Sequence, residues 1–174
     1  MLYSLATNED KAGYAANASR FSDVGEGRWF SAAVGFLTAA EVVVGYPDGT
    51  FGGGRAITRA EFAAIMSRLV ENGADDGIPS DTGADLDGMP FADAQSHWAR
   101  DHILAAYRSG WAQGYPDGTF RPDADITRAE AVAIVNRAIG RDRSLYEGYT
   151  MKFSDVPQRA WHFLDIVAAS NDKG

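Results

Sequence analysis

The sequence predicts an all-α fold of tandem helix–turn–helix repeats, and three observations carry the prediction. Gly45-Tyr46-Pro47-Asp48-Gly49-Thr50-Phe51 is followed, after five intervening residues, by Ile57-Thr58-Arg59-Ala60-Glu61; the same words return as Gly114-Tyr115-Pro116-Asp117-Gly118-Thr119-Phe120 and Ile126-Thr127-Arg128-Ala129-Glu130. Twelve identical positions in one order make an internal repeat, and such repeats must stack to bury their apolar faces. Upstream, Phe21-Ser22-Asp23-Val24 leads to Trp29, Phe91-Ala92-Asp93-Ala94 to Trp98, and a third copy, Phe153-Ser154-Asp155-Val156, to Trp161. Downstream, Phe62, Ile65, Met66 and Leu69 lie at i, i+3, i+4 and i+7, and Ala131, Ile134, Val135 and Ala138 repeat that register.

Each element follows in chain order. After each repeated Trp, apolar residues sit at the same two offsets: Val34 and Leu37, Ile103 and Ala106, Ile166 and Ala169. These offsets share one helical arc, so the spacing predicts first helices over 29–41, 98–109 and 161–171. Pro47-Asp48-Gly49 and Pro116-Asp117-Gly118 are turns, because Pro presets φ while Gly49 and Gly118 supply a positive φ. Thr58 and Glu61, like Thr127 and Glu130, have the N-cap and N3 spacing of a capping box, which opens the second helix of each unit.

The ends hold part units. Residues 1–6 align with 65–70 as the last turns of a preceding second helix, and the third copy has no turn phrase in this sequence. The expected organisation is 1–20, the end of a preceding repeat plus linker; 21–70, a repeat; 71–90, an acidic Gly/Asp-rich linker; 91–139, a repeat; 140–152, a linker; and 153–174, the start of a further repeat. Asp85-x-Asp87-Gly88 has part of a calcium-loop pattern, but Gly83 and Ala94 occupy the positions of its first Asp and closing Glu, so a solvated linker is expected.

Composition narrows the function. A hydrophobic fraction of 45% and an aromatic fraction of 11% are those of a globular protein. No apolar run approaches a membrane span, and the start has no basic region followed by an apolar stretch. A net charge of −8 argues against nucleic acid, which is held by clustered Lys and Arg. With no cysteine, disulfides and thiolate metal sites are excluded, and His97, His102 and His162 lack metal-ligand spacing. No phosphate loop or nucleophile elbow is present, so the segment itself is expected to be non-catalytic, with no cofactor and no metal.

Asp23, Asp93 and Asp155 recur just before a helix, which suits helix capping or a hydrogen bond to a neighbouring loop. Arg59 and Arg128 have no local reason to stand in a helix's first turn, where the dipole disfavours a cation by roughly 0.3–1 kcal/mol. Either they bind an anion together with the helix-start N–H groups, or they pair with an Asp of the adjacent unit. As bare residues Trp29, Trp98 and Trp161 favour core or inter-unit packing, whereas Tyr46 and Tyr115 on exposed turns are better placed to touch a ligand.

In this order, Phe-x-Asp-Val, Trp, Gly-Tyr-Pro-Asp-Gly-Thr-Phe and Ile-Thr-Arg-Ala-Glu resemble the S-layer homology (SLH) repeat of bacterial surface proteins, over 21–70 and 91–139 in full and over 1–6 and 153–174 in part. The resemblance implies three repeats packing as a pseudo-threefold helical bundle. It also implies non-covalent anchoring at the bacterial cell surface to an acidic, often pyruvylated, secondary cell-wall polysaccharide held in inter-repeat grooves. The Arg of the Thr-Arg-Ala-Glu motif is the family's main anion contact and corresponds to Arg59 and Arg128; Trp29, Trp98, Tyr46, Tyr115, Gly45 and Gly114 complete the expected ligand-contacting set. Asp23, Asp93, Asp155, Thr58, Glu61, Thr127, Glu130, Gly49 and Gly118 are expected to be structural. Departures fall at 52–56, where Gly-Gly-Gly-Arg-Ala replaces Arg121-Pro-Asp-Ala-Asp125, and at Glu41, which stands where the second unit has Gly110. The alternative function is protein–protein assembly, with incomplete terminal repeats completing one another between chains; an enzyme requires a catalytic domain outside this segment.

Overall fold

The computed structural model describes residues 13, 14, 16–25, 27–73 and 88–171. Readings on 1–12 and on most of the 71–90 linker, including Asp85 and Asp87, lie outside the described residues. Those residues form helices α1 (Ser31–Ala39), α2 (Arg59–Gly73), α3 (Arg100–Arg108), α4 (Arg128–Ala138) and α5 (Phe163–Ser170), with 3-10 turns at Ala92–Ala94 and Arg143–Tyr146. Among the described residues there is no strand; an isolated antiparallel bridge joins Thr58 and Asp125. The all-α class is as the sequence predicts. The chain divides into two compact units, residues 1–56 with 68–76 and residues 57–67 with 77–174.

In the first unit, Asp23 accepts hydrogen bonds from Phe51 N (2.7 Å) and Gly52 N (2.8 Å), tying the Phe-Ser-Asp-Val turn to its own repeat's loop. The bond to Phe51 and its neighbours holds this carboxyl below its ordinary value against a small burial penalty. Phe21 packs on Phe51 at 5.7 Å between ring centroids, and Phe30 lies within 6.5 Å of the same ring. The loop 52–56, different in sequence from 121–125, keeps the same conformation: Gly52 has φ +74° where Arg121 has φ +56°. Arg55 then lies over Tyr46 at 4.3 Å, as Arg121 lies over Tyr115 at 4.0 Å. Glu41 likewise adopts the left-handed conformation of Gly110, with φ 57° against 75°, at a cost of about 1 kcal/mol for a side-chain-bearing residue.

The second unit joins parts of both full repeats. Its core draws Ala60, Ala63 and Met66 from the start of α2, Ile103, Leu104 and Ala106 from α3, Ile134 from α4, and Phe91, Trp111 and Phe120 from the loops. Helix α2 opens on the loop of the second repeat: Arg59 N donates to Ala124 O (2.9 Å), Ala60 N to Pro122 O (3.0 Å), and Ile126 N to Ile57 O (3.0 Å). The first-turn N–H groups of a helix lack intrahelical acceptors, and here a loop supplies them. Asp93 repeats the clamp of Asp23, accepting from Phe120 N (3.0 Å) and Arg121 N (2.8 Å). Of the two roles expected for these aspartates, the loop bond is the one found. Asp155, whose copy has no turn phrase, makes no side-chain hydrogen bond among the described residues.

Two helix-level expectations are corrected. Each first helix begins two residues after its Trp, at Ser31, Arg100 and Phe163, so the tryptophans stand in the preceding turn. In α5 the buried residues are Asp165, Val167 and Ala168, a register one residue away from the expected Ile166 and Ala169. Asp165 is held on that buried face by two polar contacts: Asn136 Nδ2 of α4 donates to Asp165 O (2.8 Å), and Arg143 Nη1 pairs with Asp165 Oδ2 (2.9 Å).

Gly114 shows how tightly the second loop is packed. A Cβ there would lie 2.1 Å from Phe91 Cε1 and 2.7 Å from Thr119 O, the carbonyl that accepts from Tyr115 N to close the turn. Gly45 meets the same contacts in the first repeat. Gly114→Ala is therefore expected to lower the stability of the second unit by about 2–3 kcal/mol, as overpacking against backbone does; a wild-type urea midpoint would contradict this packing.

Candidate functional site

The site grows out of the capping box of α4. Thr127 caps the helix by accepting from Glu130 N, and Glu130 Oε2 returns the bond to Thr127 N (2.9 Å). Glu130 has a second oxygen to offer, and Oε1 accepts from Tyr115 OH (2.5 Å) and Arg59 Nη1 (2.9 Å). The Arg59 guanidinium also donates through Nε to Phe120 O (2.8 Å) and through Nη2 to Gln113 O (3.3 Å), with Tyr115 and Phe120 rings each at 4.7 Å. It is only 5% exposed. Burial opposes the Glu130 charge, but the Tyr115 hydroxyl, Thr127 and Arg59 together hold its carboxyl below the ordinary value. Burial and donation to Glu130 raise the Tyr115 phenol.

Beside this cluster lies a groove of about 780 Å³ whose lining includes Arg59, Gly114, Tyr115, Glu130, Arg137, Trp161 and His162. Its volume falls within the usual range of ligand sites. Arg137 faces it as a half-buried cation whose side chain has no hydrogen bond or ion pair among the described residues. Trp161, 62% exposed, contributes an aromatic wall, and His162 Nδ1 is buried without a partner among the described residues. Arg137, Tyr115 and Trp161 offer a cation, a hydroxyl and a ring face to an incoming polar molecule.

The sequence-predicted residues are only partly brought together. Gly114 and Tyr115 line the groove, and Arg59 forms part of its wall. Of the two readings of Arg59, the geometry matches pairing with a carboxylate of the adjacent repeat, though with Glu130 rather than an Asp; the guanidinium also donates to two carbonyls, and the adjoining N–H groups donate to Ala124 O and Pro122 O. Arg128 is exposed at the start of α4, without a hydrogen bond or ion pair among the described residues, but it does not line the groove. Trp29, Trp98 and Trp161 are 91%, 62% and 62% exposed, so core packing is corrected for all three, and of them Trp161 alone lines this groove. Gly45 and Tyr46 occupy the equivalent turn of the first unit, where Asp48 Oδ1 accepts from Thr50 Oγ1 (2.6 Å). Asp117 does the same with Thr119 and also pairs with Arg121, which together hold its carboxyl at about 2. Gly49 and Gly118 close these turns at φ 79° and 80°.

Arg137 and the role of Trp161 in the groove escaped the sequence reading. A signal existed for the first, since Arg137 stands at the repeat position of Arg68, outside the shared phrases. No helix among the described residues is long and apolar enough to cross a membrane, and none of them form a group of three or more His, Asp or Glu able to hold a metal ion.

Known proteins resemble the chain over most of its length. The profile described as "S-layer homology domain" matches residues 20–63 and 90–132. A cellulosome-anchoring protein of Acetivibrio thermocellus is 36% identical over 163 residues, covering 94% of this chain and 35% of its own length. Cell surface glycoprotein 1 of the same organism is 35% identical over 99% of this chain and 7% of itself. An S-layer protein of Bacillus licheniformis is 28% identical over 82% of this chain and 15% of itself. The chain thus spans about a third or less of the length of these relatives.

Proposed function

The chain belongs to the S-layer homology family, and from that premise we propose that it is a non-catalytic anchoring module of the bacterial cell surface that holds an acidic cell-wall polysaccharide in the groove beside Tyr115. The observation that carries the reading is the pairing, in one groove, of an unengaged cation at Arg137 with the exposed face of Trp161. An indole presents a flat apolar surface to the C–H face of a sugar, while a guanidinium meets a carboxylate in bidentate fashion. Arg59 serves differently from the expectation. It fixes Tyr115 and Glu130 in place and adds a positive field, and the ligand's charge is met by Arg137. Arg128, exposed at the α4 start, offers the same polymer a second cation.

The polymer would run along the surface rather than enter a closed pocket, so affinity arises from several modest contacts. Pull-down with purified wall sacculi, before and after chemical removal of their acidic polymer, tests the reading. Binding should disappear with the polymer, and Arg137→Ala should weaken it about tenfold, the equivalent of one charge-assisted contact of roughly 1.4 kcal/mol. Retention on stripped sacculi, or full affinity in Arg137→Ala, would overturn it.

A further inference from the structure

A second groove shares Trp161 with the first. It encloses about 630 Å³, and its lining includes Asp142, Arg143, Ser144, Glu147, Gln158 and Trp161. The segment 140–152, which reads in sequence as a linker, therefore builds a concavity against the turn that precedes α5.

Arg143 is its best-fixed donor. Nη1 pairs at 2.9 Å with Asp165, whose side chain is fully buried, while Arg143 itself is 42% exposed. The remaining guanidinium N–H groups make no hydrogen bond among the described residues. A buried carboxylate thus orients a fork whose other donors are left to solvent, which is the arrangement that recognises paired hydroxyls or a carboxylate. The pairing of the charges decides between the two. Arg141 and Arg143 stand against Asp142 and Glu147 in the lining, so the groove offers donors and acceptors with no net charge. Asp142 is itself held by Ser144, accepting from its N (2.9 Å) and Oγ (2.7 Å), which fixes the acceptor side of the groove. The Tyr115 groove is balanced as well, with Arg59 and Arg137 against Asp125 and Glu130, but there the Arg137 side chain has no ion pair among the described residues, whereas here Asp165 already neutralises Arg143; fixed donors and acceptors beside an indole therefore suit a neutral polyhydroxylated ring.

We infer that this second groove is a saccharide subsite for a neutral sugar unit, adjacent to the acidic unit in the Tyr115 groove, with Trp161 as the platform common to both. The inference rests on the glycan-binding reading of the first groove and adds a chain-length requirement to it. Two contiguous subsites bind a longer fragment through contacts that a single unit cannot make together.

The test uses wall-polysaccharide fragments released from sacculi and sorted into single-unit and multi-unit sizes, each with and without acidic substituents, titrated calorimetrically into the full chain. Multi-unit fragments should bind about tenfold tighter than single units. The double variant Gln158→Ala, Arg143→Lys should erase that gain while leaving the affinity for the single acidic unit unchanged; Lys at 143 retains a charge for Asp165 but loses the planar fork. A length gain that persists in the double variant, or no gain in the wild type, overturns the second subsite. If acidic and stripped single units bind alike, the acidic reading of the first groove falls, while the length effect still decides the second.

Discussion

Arg59→Ala is expected to destabilise the second unit by about 3–5 kcal/mol, the usual effect of removing one partner of a buried ion pair. Arg59 is buried at 5% exposure and Glu130 is largely covered at 13%. Alanine would leave the Glu130 charge without its cation and strip Phe120 O and Gln113 O of their donors, while Tyr115 and Phe120 would lose a stacked guanidinium. Arg59→Lys should fall between, since an ammonium keeps the charge but cannot reach three acceptors in one plane. Urea unfolding followed by tyrosine or tryptophan fluorescence measures this directly, and a midpoint unchanged in Arg59→Ala would show that the cluster is ornamental. The pairing also carries a pH signature. Because the Glu130 carboxyl lies below its ordinary value of 4.5 in the folded state, its contribution is present above that value and is lost as pH falls through the folded titration. A consequence for binding work is that loss of glycan affinity in Arg59→Ala cannot be assigned to a ligand contact without a matched stability measurement.

Trp161→Ala is expected to do the reverse, weakening retention on sacculi by on the order of thirtyfold while leaving the unfolding midpoint within about 0.5 kcal/mol of wild type. The indole is 62% exposed and contacts His162 edge-on at 5.0 Å, so little of the fold depends on it. Stacking on a sugar would cover much of an exposed ring, and at about 25 cal/mol per Å² that is roughly 2 kcal/mol. Because Trp161 lines both grooves, its removal should exceed the effect of Arg137→Ala or of Gln158→Ala. Wild-type retention by Trp161→Ala, or a large loss of stability, would remove the indole from the binding surface. Trp98→Ala provides the contrast: it is equally exposed and absent from both grooves, and should leave retention unchanged.

Local chemistry explains why so much of the fold was legible. The Thr127–Glu130 capping box, the Asp117–Thr119 turn and the helical register of α3 are short-range arrangements, and the residues that form them lie within about one turn of each other. The same holds for the glycines at 49 and 118, whose positive φ is demanded by the turn itself. The partner of Asp93 was legible only as one of two alternatives, because the N–H groups its carboxylate accepts from lie at Phe120 and Arg121, far along the chain.

What the sequence by itself determined is the repeat, its helical class, its family and the positions of its turns, since periodicity and capping need no knowledge of neighbours. What only the tertiary structure decided is which charged and aromatic side chains are available to a ligand. Arg59 and Arg128 stand in identical phrases, yet the first is walled in by the loop 121–126 and by Glu130 while the second faces solvent. The physical reason is that a guanidinium's freedom depends on which acceptors lie within about 3 Å of it, and those acceptors come from residues roughly sixty to seventy positions away.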